Sequence, residues 1–405
     1  MKNLSLITIL ILTLFGVNDV KSQDLMTYQK PVDYEMPPKK IPTIRKYWVS
    51  LPKDYDQTKN KYPILFLFDG NEQFLRNIIL SDADQLTRFS EIPPCIIVGI
   101  IQRNRNLDFG PMYAINSLPN SNKVNGDKFF DFIKEELLPE LKKKYRTQDF
   151  KIGIGHSLGG LFLLNSFTKD PEFFNGIIAI SPALEMDRDS ILFSNIKKTL
   201  NNKISKQTYF CWASGSEGIN ETAFKPGSNA LKQLFSKNNN SFFKYKFIDL
   251  PGKNHNLTPA FAMLSALNFV FDDWNINRWY DRVYTDKKNE YIAAYTLRNK
   301  LIKLKYGFDE DPKEDQVQNF IGRNLMAEKK YIEALVYLGK AVDLSPLNSG
   351  HHEDLSEVEE HMKNYPAALA ALKIALTTID KNAEDYNIRL EKYQDDLKRL
   401  EGLVK

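Results

Sequence analysis

Two cysteines and five histidines are all the thiol and imidazole that this 405-residue chain contains. That count excludes a disulfide-stapled scaffold and a thiolate metal cluster. Cys95 and Cys211 lie far apart, each inside an apolar run, and read as small buried strand residues. Charge of one sign is also lacking, since 55 Lys and Arg against 51 Asp and Glu leave only +4. So small a surplus gives no footing for nucleic acid or an anionic membrane surface. After Val17 no apolar run is long enough to span a bilayer.

The first residues carry a different signal. Lys2, the apolar run Leu4 to Val17 and the small-residue site at Val20-Lys21-Ser22 predict a signal peptide over 1–22. The expected location is therefore periplasmic or secreted, with an uncleaved N-terminal anchor as the other reading. What remains is globular, 42% hydrophobic and 26% charged, and long enough for a catalytic domain with an appendage.

Continuous apolar runs at Tyr62–Phe68, Cys95–Ile101 and Phe150–Ile154 read as strands buried on both faces. Arg45–Leu51 alternates like a half-buried strand, and further strands are expected at 177–180, 207–213 and 244–250. Helical periodicity marks 126–145, 158–169 and 259–275. This alternation over 23–280 predicts a mostly parallel sheet covered on both faces. Beyond Trp279 glycine becomes scarce and the pattern is helical throughout, so 281–405 is expected to be an all-α domain. There Tyr331-Ile332-Glu333-Ala334-Leu335 recurs as Tyr365-Pro366-Ala367-Ala368-Leu369, 34 residues on, a period that resembles the tetratricopeptide repeat. An ordinary antiparallel bundle is the alternative.

Gly155-His156-Ser157-Leu158-Gly159 fits a nucleophile elbow, in which the chain turns sharply from strand into helix and a serine hydroxyl stands at the helix start. Such a serine needs a base. His351, His352 and His361 lie in the helical tail, and His156 adjoins the serine, so His255 remains by elimination. Its loop, Pro251-Gly252-Lys253-Asn254-His255, follows a strand. The third member, an acid that holds the imidazole, falls between serine and histidine in chain order in this fold. Glu217, directly after the 207–213 strand, is the first candidate; Glu221 is the second and Asp187 the third. Two N–H donors should stabilise an oxyanion. Leu158 supplies one, and Asn71, in the loop Asp69-Gly70-Asn71, the other, with Gly70 as the alternative. Metal ligation is not indicated: Asp309-Glu310-Asp311 lacks the spacing of a calcium loop, and no cofactor motif occurs.

Several separated stretches carry a wider likeness: Leu67-Phe68-Asp69-Gly70, Arg105 to Pro111, Phe132 to Pro139, Tyr145-Arg146-Thr147, Gly155 to Gly160 and Ile180-Ser181-Pro182. In these the chain resembles the esterase family of the α/β-hydrolase fold that includes the enterochelin esterases and relatives of the mycolyltransferases. The resemblance implies a serine–histidine–acid triad on Ser157, His255 and Glu217, an oxyanion donor just after Gly70, and Arg105 with Asp108 near the substrate cleft. Where members often carry tryptophans after the Ser-Pro pair, this chain has Ala183 to Asp187. The family serves siderophore, polysaccharide-linked and simple acyl esters, so a small-molecule, glycan or siderophore ester is the expected substrate. An acyltransferase with the same triad, or a partner-binding protein with a vestigial esterase domain, are the alternatives, the helical tail being the expected site of a protein partner.

Overall fold

The computed structural model describes residues 27–404 apart from 42, 112–123, 188, 202–203, 276–278, 281–290, 307, 309–313, 382 and 384. The expected signal segment and the acidic turn at 309–311 lie outside the described residues.

In chain order the first half runs β1 (Val32–Met36), β2 (Arg45–Ser50), β3 (Tyr62–Phe68), α1 (Gln73–Arg88), β4 (Ile96–Ile101), α2 (Arg105–Phe109) and α3 (Gly126–Phe132). A π turn at Ile133–Leu137 carries α3 into α4 (Leu138–Lys144). Then come β5 (Thr147–His156), α5 (Leu158–Lys169), β6 (Gly176–Ile180), α6 (Ile191–Asn201), β7 (Thr208–Ser214), α7 (Gly218–Ser236), β8 (Phe243–Asp249) and α8 (Thr258–Val270). The helical region comprises α9 (Tyr291–Leu301), α10 (Glu314–Ala327), α11 (Tyr331–Leu344), α12 (Ser349–His361), α13 (Tyr365–Thr378) and α14 (Tyr386–Val404). No helix among the described residues is long and apolar enough to cross a membrane.

The eight strands form one sheet in the order β1-β2-β4-β3-β5-β6-β7-β8. β2 runs antiparallel to β1 and β4, and the other pairings are parallel. Every residue of β3, β6 and β7 is buried, as their unbroken apolar runs demand of strands covered on both faces. The edge strand β8 is only partly covered and carries Lys244 and Lys246, charges that blunt an open edge against pairing with another chain. The order reverses at β3, with β4 on one side and β5 on the other. In open α/β sheets that switch point, outside the carboxyl ends of the strands, is where a site is built.

The tail is an array of helix hairpins. Ala334, Leu338 and Ala341 of α11 are buried, and so are Ala368, Leu372 and Ala375 of α13, each 34 residues on. Lys329 and Lys363, again 34 apart, both take the left-handed conformation (φ 61° and 63°) that closes the preceding helix. The period seen in the sequence is thus repeated in burial and in backbone.

Apolar residues beyond 280 also enter the core around the sheet. Tyr306 packs against Phe150 and Trp274 (ring centroids 5.2 and 5.5 Å), and Phe308 against Trp274 and Tyr62 (5.2 and 5.7 Å). Lys305 Nζ bonds Asp273 at 2.6 Å beside them. Losing a buried aromatic costs roughly 3–5 kcal/mol. A chain ending at 280 should therefore melt at least about 5 °C below one ending at 313, as thermal unfolding would measure. Equal melting points would show that these rings contribute nothing to the core around the sheet.

Candidate active site

β5 ends at His156 and α5 begins at Leu158, so the whole turn falls on Ser157. Its backbone sits at φ 58° and ψ −120°, a region costly for any residue with a Cβ. Three backbone bonds hold it there: the Ser157 amide donates to Ile180 O (2.9 Å), and its carbonyl accepts from Leu161 (3.0 Å) and Ala183 (3.2 Å). The flanking glycine is required by space, since a Cβ on Gly155 would lie 2.4 Å from Gly159 O. As the first residue of α5, Leu158 has an amide with no acceptor inside the helix.

The histidine loop is fastened to the loop after β7. Ser216 and Glu217 donate their amides to Lys253 O (3.0 and 3.2 Å), and Gly252 donates to Ser216 Oγ (2.8 Å). That zipper brings His255 over the buried Glu221, whose Oε1 accepts from His255 Nδ1 at 2.7 Å. The other carboxylate oxygen accepts from the Gly215 amide (2.5 Å) and Ser214 Oγ (3.4 Å). Burial alone would raise the Glu221 pKa. The hydrogen bonds from His255, Ser181 and the Gly215 amide outweigh it and hold the carboxyl below its ordinary range.

The structure sets Glu217, the first candidate for the acid, apart from the imidazole and brings Glu221, the second, onto it. Glu217 is the residue preceding α7; its backbone joins the zipper, but its side chain is exposed and bonds no part of the imidazole. Helix α7 starts at Gly218, and one turn into it Glu221 faces inward. Asp187 is elsewhere occupied: its two oxygens accept from the Leu192 and Phe193 amides (2.9 and 3.1 Å) at the start of α6.

His255 is also tied to the elbow. Its carbonyl accepts from Thr258 Oγ1 (2.9 Å) and His156 Nε2 (3.1 Å), and the two imidazoles lie against each other, tilted by 33°, with centroids 4.3 Å apart. His156 is thereby committed as a donor beside the nucleophilic turn. Burial first, and the neighbouring His255 second, lower its pKa from 6.5 to about 3.

On the other flank, the loop after β3 turns at Asp69 (φ 62°). Gly70 spends its amide on Ile100 O at 2.9 Å, which removes it as an oxyanion donor and leaves Asn71 of the two candidates. Arg105 spans the site's base: Nε and Nη2 bond Asp69 (2.7 and 2.9 Å), and Nη2 also bonds the carbonyl of His156 (2.9 Å). The Asp69 carboxyl is nevertheless raised above its ordinary range, because burial outweighs the hydrogen bonds from Arg105 and Gln102. Asp108, expected beside the cleft with Arg105, is instead buried. Arg45 grips it through two bonds (2.6 and 2.9 Å), and it accepts the amides of Arg103 (3.0 Å) and Asn104 (3.4 Å). It staples its own loop to β2 and has no oxygen left for a ligand.

A serine on a strained turn, preceded by a histidine whose ring lies against a second imidazole bonded through Nδ1 to a buried carboxylate, is an arrangement suited to activating a hydroxyl for acyl transfer. The comparisons with known proteins point the same way. A family model described as Putative esterase matches residues 39–241, half of the chain. The ferri-bacillibactin esterase BesA of Bacillus subtilis is 26% identical over 232 residues, covering 52% of this chain and 78% of that protein. The apo-salmochelin esterase of Escherichia coli O6:H1 is 28% identical over 160 residues, 36% of this chain and 48% of that one. Among solved structures, an IroE-like serine hydrolase from Shewanella oneidensis superposes with a TM-score of 0.59 at 19% identity, over 78% of this chain and all of that one. The chain accordingly belongs to the Putative esterase family, as a serine ester hydrolase of the α/β-hydrolase fold.

Proposed function

We propose that this protein is an exported carboxylic ester hydrolase working through an acyl-enzyme, with Ser157 as nucleophile, His255 as base and Glu221 as the acid that orients it. The observation that carries this reading is the 2.7 Å bond from His255 Nδ1 to the buried Glu221. It fixes the imidazole tautomer and leaves Nε2 as the nitrogen able to take a proton.

Ser157 Oγ attacks the acyl carbon while its proton passes to His255 Nε2. The carbonyl electron pair moves onto oxygen, where the amides of Leu158 and Asn71 receive it. Collapse of the intermediate breaks the bond to the alcohol, which leaves with the proton from His255. Water then repeats the sequence on the acyl-enzyme, with His255 again the base, and releases the acid and free Ser157. Arg105 borders this site and is the candidate to meet polar parts of a substrate. The names of the two esterase relatives favour a siderophore ester as the substrate class to test first. Export rests on the N-terminal residues alone, and partner binding by the tail on its repeated hairpins.

Three measurements follow. Ser157→Ala should abolish hydrolysis of a short-chain nitrophenyl ester while leaving the melting temperature within a few degrees. Glu221→Gln should lower kcat by a factor on the order of 10⁴, as when a triad acid is lost, whereas Glu217→Gln should change it less than about twofold. The reverse ranking would return the acid to Glu217. The third concerns His156, whose folded pKa is depressed to about 3 from 6.5. Between those values the unfolded chain binds a proton that the folded chain does not, so His156 makes stability fall as pH drops from 6.5 toward 3. Denaturant unfolding of His156→Asn across that range should show a shallower loss than wild type; an equal slope would mean that the ring is not held neutral.

A further inference from the structure

Trp48 is fully buried on β2, two strands away from β3 in the sheet. Its indole nevertheless reaches over β4 and donates Nε1–H to the carbonyl of Gly70 at 2.8 Å. Space for that reach comes from glycine. A Cβ on Gly99, the β4 residue paired with Trp48, would lie 1.9 Å from the indole Cε2 and 2.3 Å from its Nε1. A Cβ on Gly70 would lie 2.6 Å from the Gly99 carbonyl carbon. The guanidinium of Arg76 covers the indole, 4.9 Å from a ring centroid.

Peptide planarity gives this contact a consequence. No described peptide bond is cis, so the Gly70 carbonyl and the Asn71 N–H, which share one peptide plane, point in opposite directions. Trp48 approaches from the β4 and β2 side of β3, whereas β5 and its elbow lie on the other side. On that side the loop is close to the elbow: Asp69 Oδ2 lies 3.0 Å from where a Gly159 Cβ would be. With its carbonyl drawn toward Trp48, the peptide turns the Asn71 N–H away from β4, to the side on which β5 and its elbow lie. A flipped peptide would strand a buried indole N–H and present a carbonyl oxygen to the developing negative charge.

We propose that Trp48 is a positioning residue that locks the Gly70–Asn71 peptide in the orientation able to receive the oxyanion. The inference rests on the reading of the Asn71 amide as an oxyanion donor. It acts through the backbone and touches no substrate, so its signature is a split between kcat and KM.

The test uses the full chain and a nitrophenyl ester. Replacing Trp48 with benzothienylalanine keeps the shape and removes the N–H. This should lower kcat about tenfold to a hundredfold, with KM held within about threefold. Trp48→Phe should behave alike, and Gly99→Ala should copy it by displacing the indole. Asn71→Pro, which deletes the amide hydrogen, separates the two layers of the argument. If it lowers kcat and the benzothienylalanine variant does not, Trp48 has no positioning role although the donor assignment stands. If Asn71→Pro leaves kcat unchanged with the fold intact, the donor assignment fails and the role of Trp48 with it. Where both lower kcat, adding the Trp48 change to Asn71→Pro should cause no further loss, because there is no amide left to aim.

Discussion

The bend at Ser157 is the constraint on which the rest of the site depends. A non-glycine residue at φ 58° and ψ −120° costs on the order of 1–3 kcal/mol, and the fold must over-determine it to keep it. It does so with bonds from β6, from α5 and from the Ser-Pro turn at Ala183, so three elements have to arrive together before the serine can stand where it does. Release of that strain would let the helix start earlier or later and would carry the Leu158 amide away with it. The switch in strand order at β3 is what makes room for such a turn, because β4 and β5 diverge there and leave the carboxyl ends uncovered.

Against this fixed point the imidazole is positioned from two sides. The zipper between Ser216, Glu217 and Lys253 sets the height of the histidine loop, and Glu221 sets the ring. The division of labour explains why the two glutamates cannot exchange roles. Glu217 lies where the chain leaves β7 for α7, with its amide turned into the zipper and its side chain turned out. Glu221 lies one turn into the helix, on the face that looks back at β7. There the Gly215 amide and the Ser181 hydroxyl can pay the desolvation of a buried carboxylate.

That distinction was not legible in the sequence, and the reason is local. Helix α7 contains Pro226 and Gly227 and begins with a glycine, so its periodicity is masked, and without the helix there is no inward face to assign. The helices at 73–88 and 191–201 lie outside the stretches named from the sequence, although Leu75, Ile79, Ala83 and Leu86 in one and Leu192, Ile196 and Leu200 in the other fall at helical spacing on a buried face. The parallel strands, by contrast, were readable because burial on both faces leaves an uninterrupted apolar run. Ser157 and His255 were readable for different reasons, one from a spacing that only a tight turn requires, the other from the shortage of histidine. The helical tail shows its 34-residue period because small residues recur where helices pack closely, and Ala334, Ala341, Ala368 and Ala375 are all fully buried. What the period could not show is that Tyr306 and Phe308, upstream of the repeats, complete the core of the catalytic half.

Arg105 and Asp108 show how a short motif can hold two unlike functions. They lie three residues apart in one short helix, and each meets an opposite charge, Asp69 in the loop after β3 for Arg105 and Arg45 on β2 for Asp108. Asp108 is sealed against Arg45, with side-chain exposures of 6% and 5%, so the two charges offset each other and the Arg103 and Asn104 amides add to the carboxylate's partners, while the Arg45 Nε is left without one. Arg105 keeps 35% of its side chain exposed, and its partners belong to the two halves of the site: Asp69 from the loop after β3 and the His156 carbonyl from the elbow. One guanidinium thus ties the loop after β3 to the turn after β5, with donors on a planar fork that holds its geometry better than a lysine could. Any change in the spacing between the loop after β3 and the turn after β5 must stretch that fork. The electrostatic brace at the base of the site and the strained serine above it are parts of the same constraint.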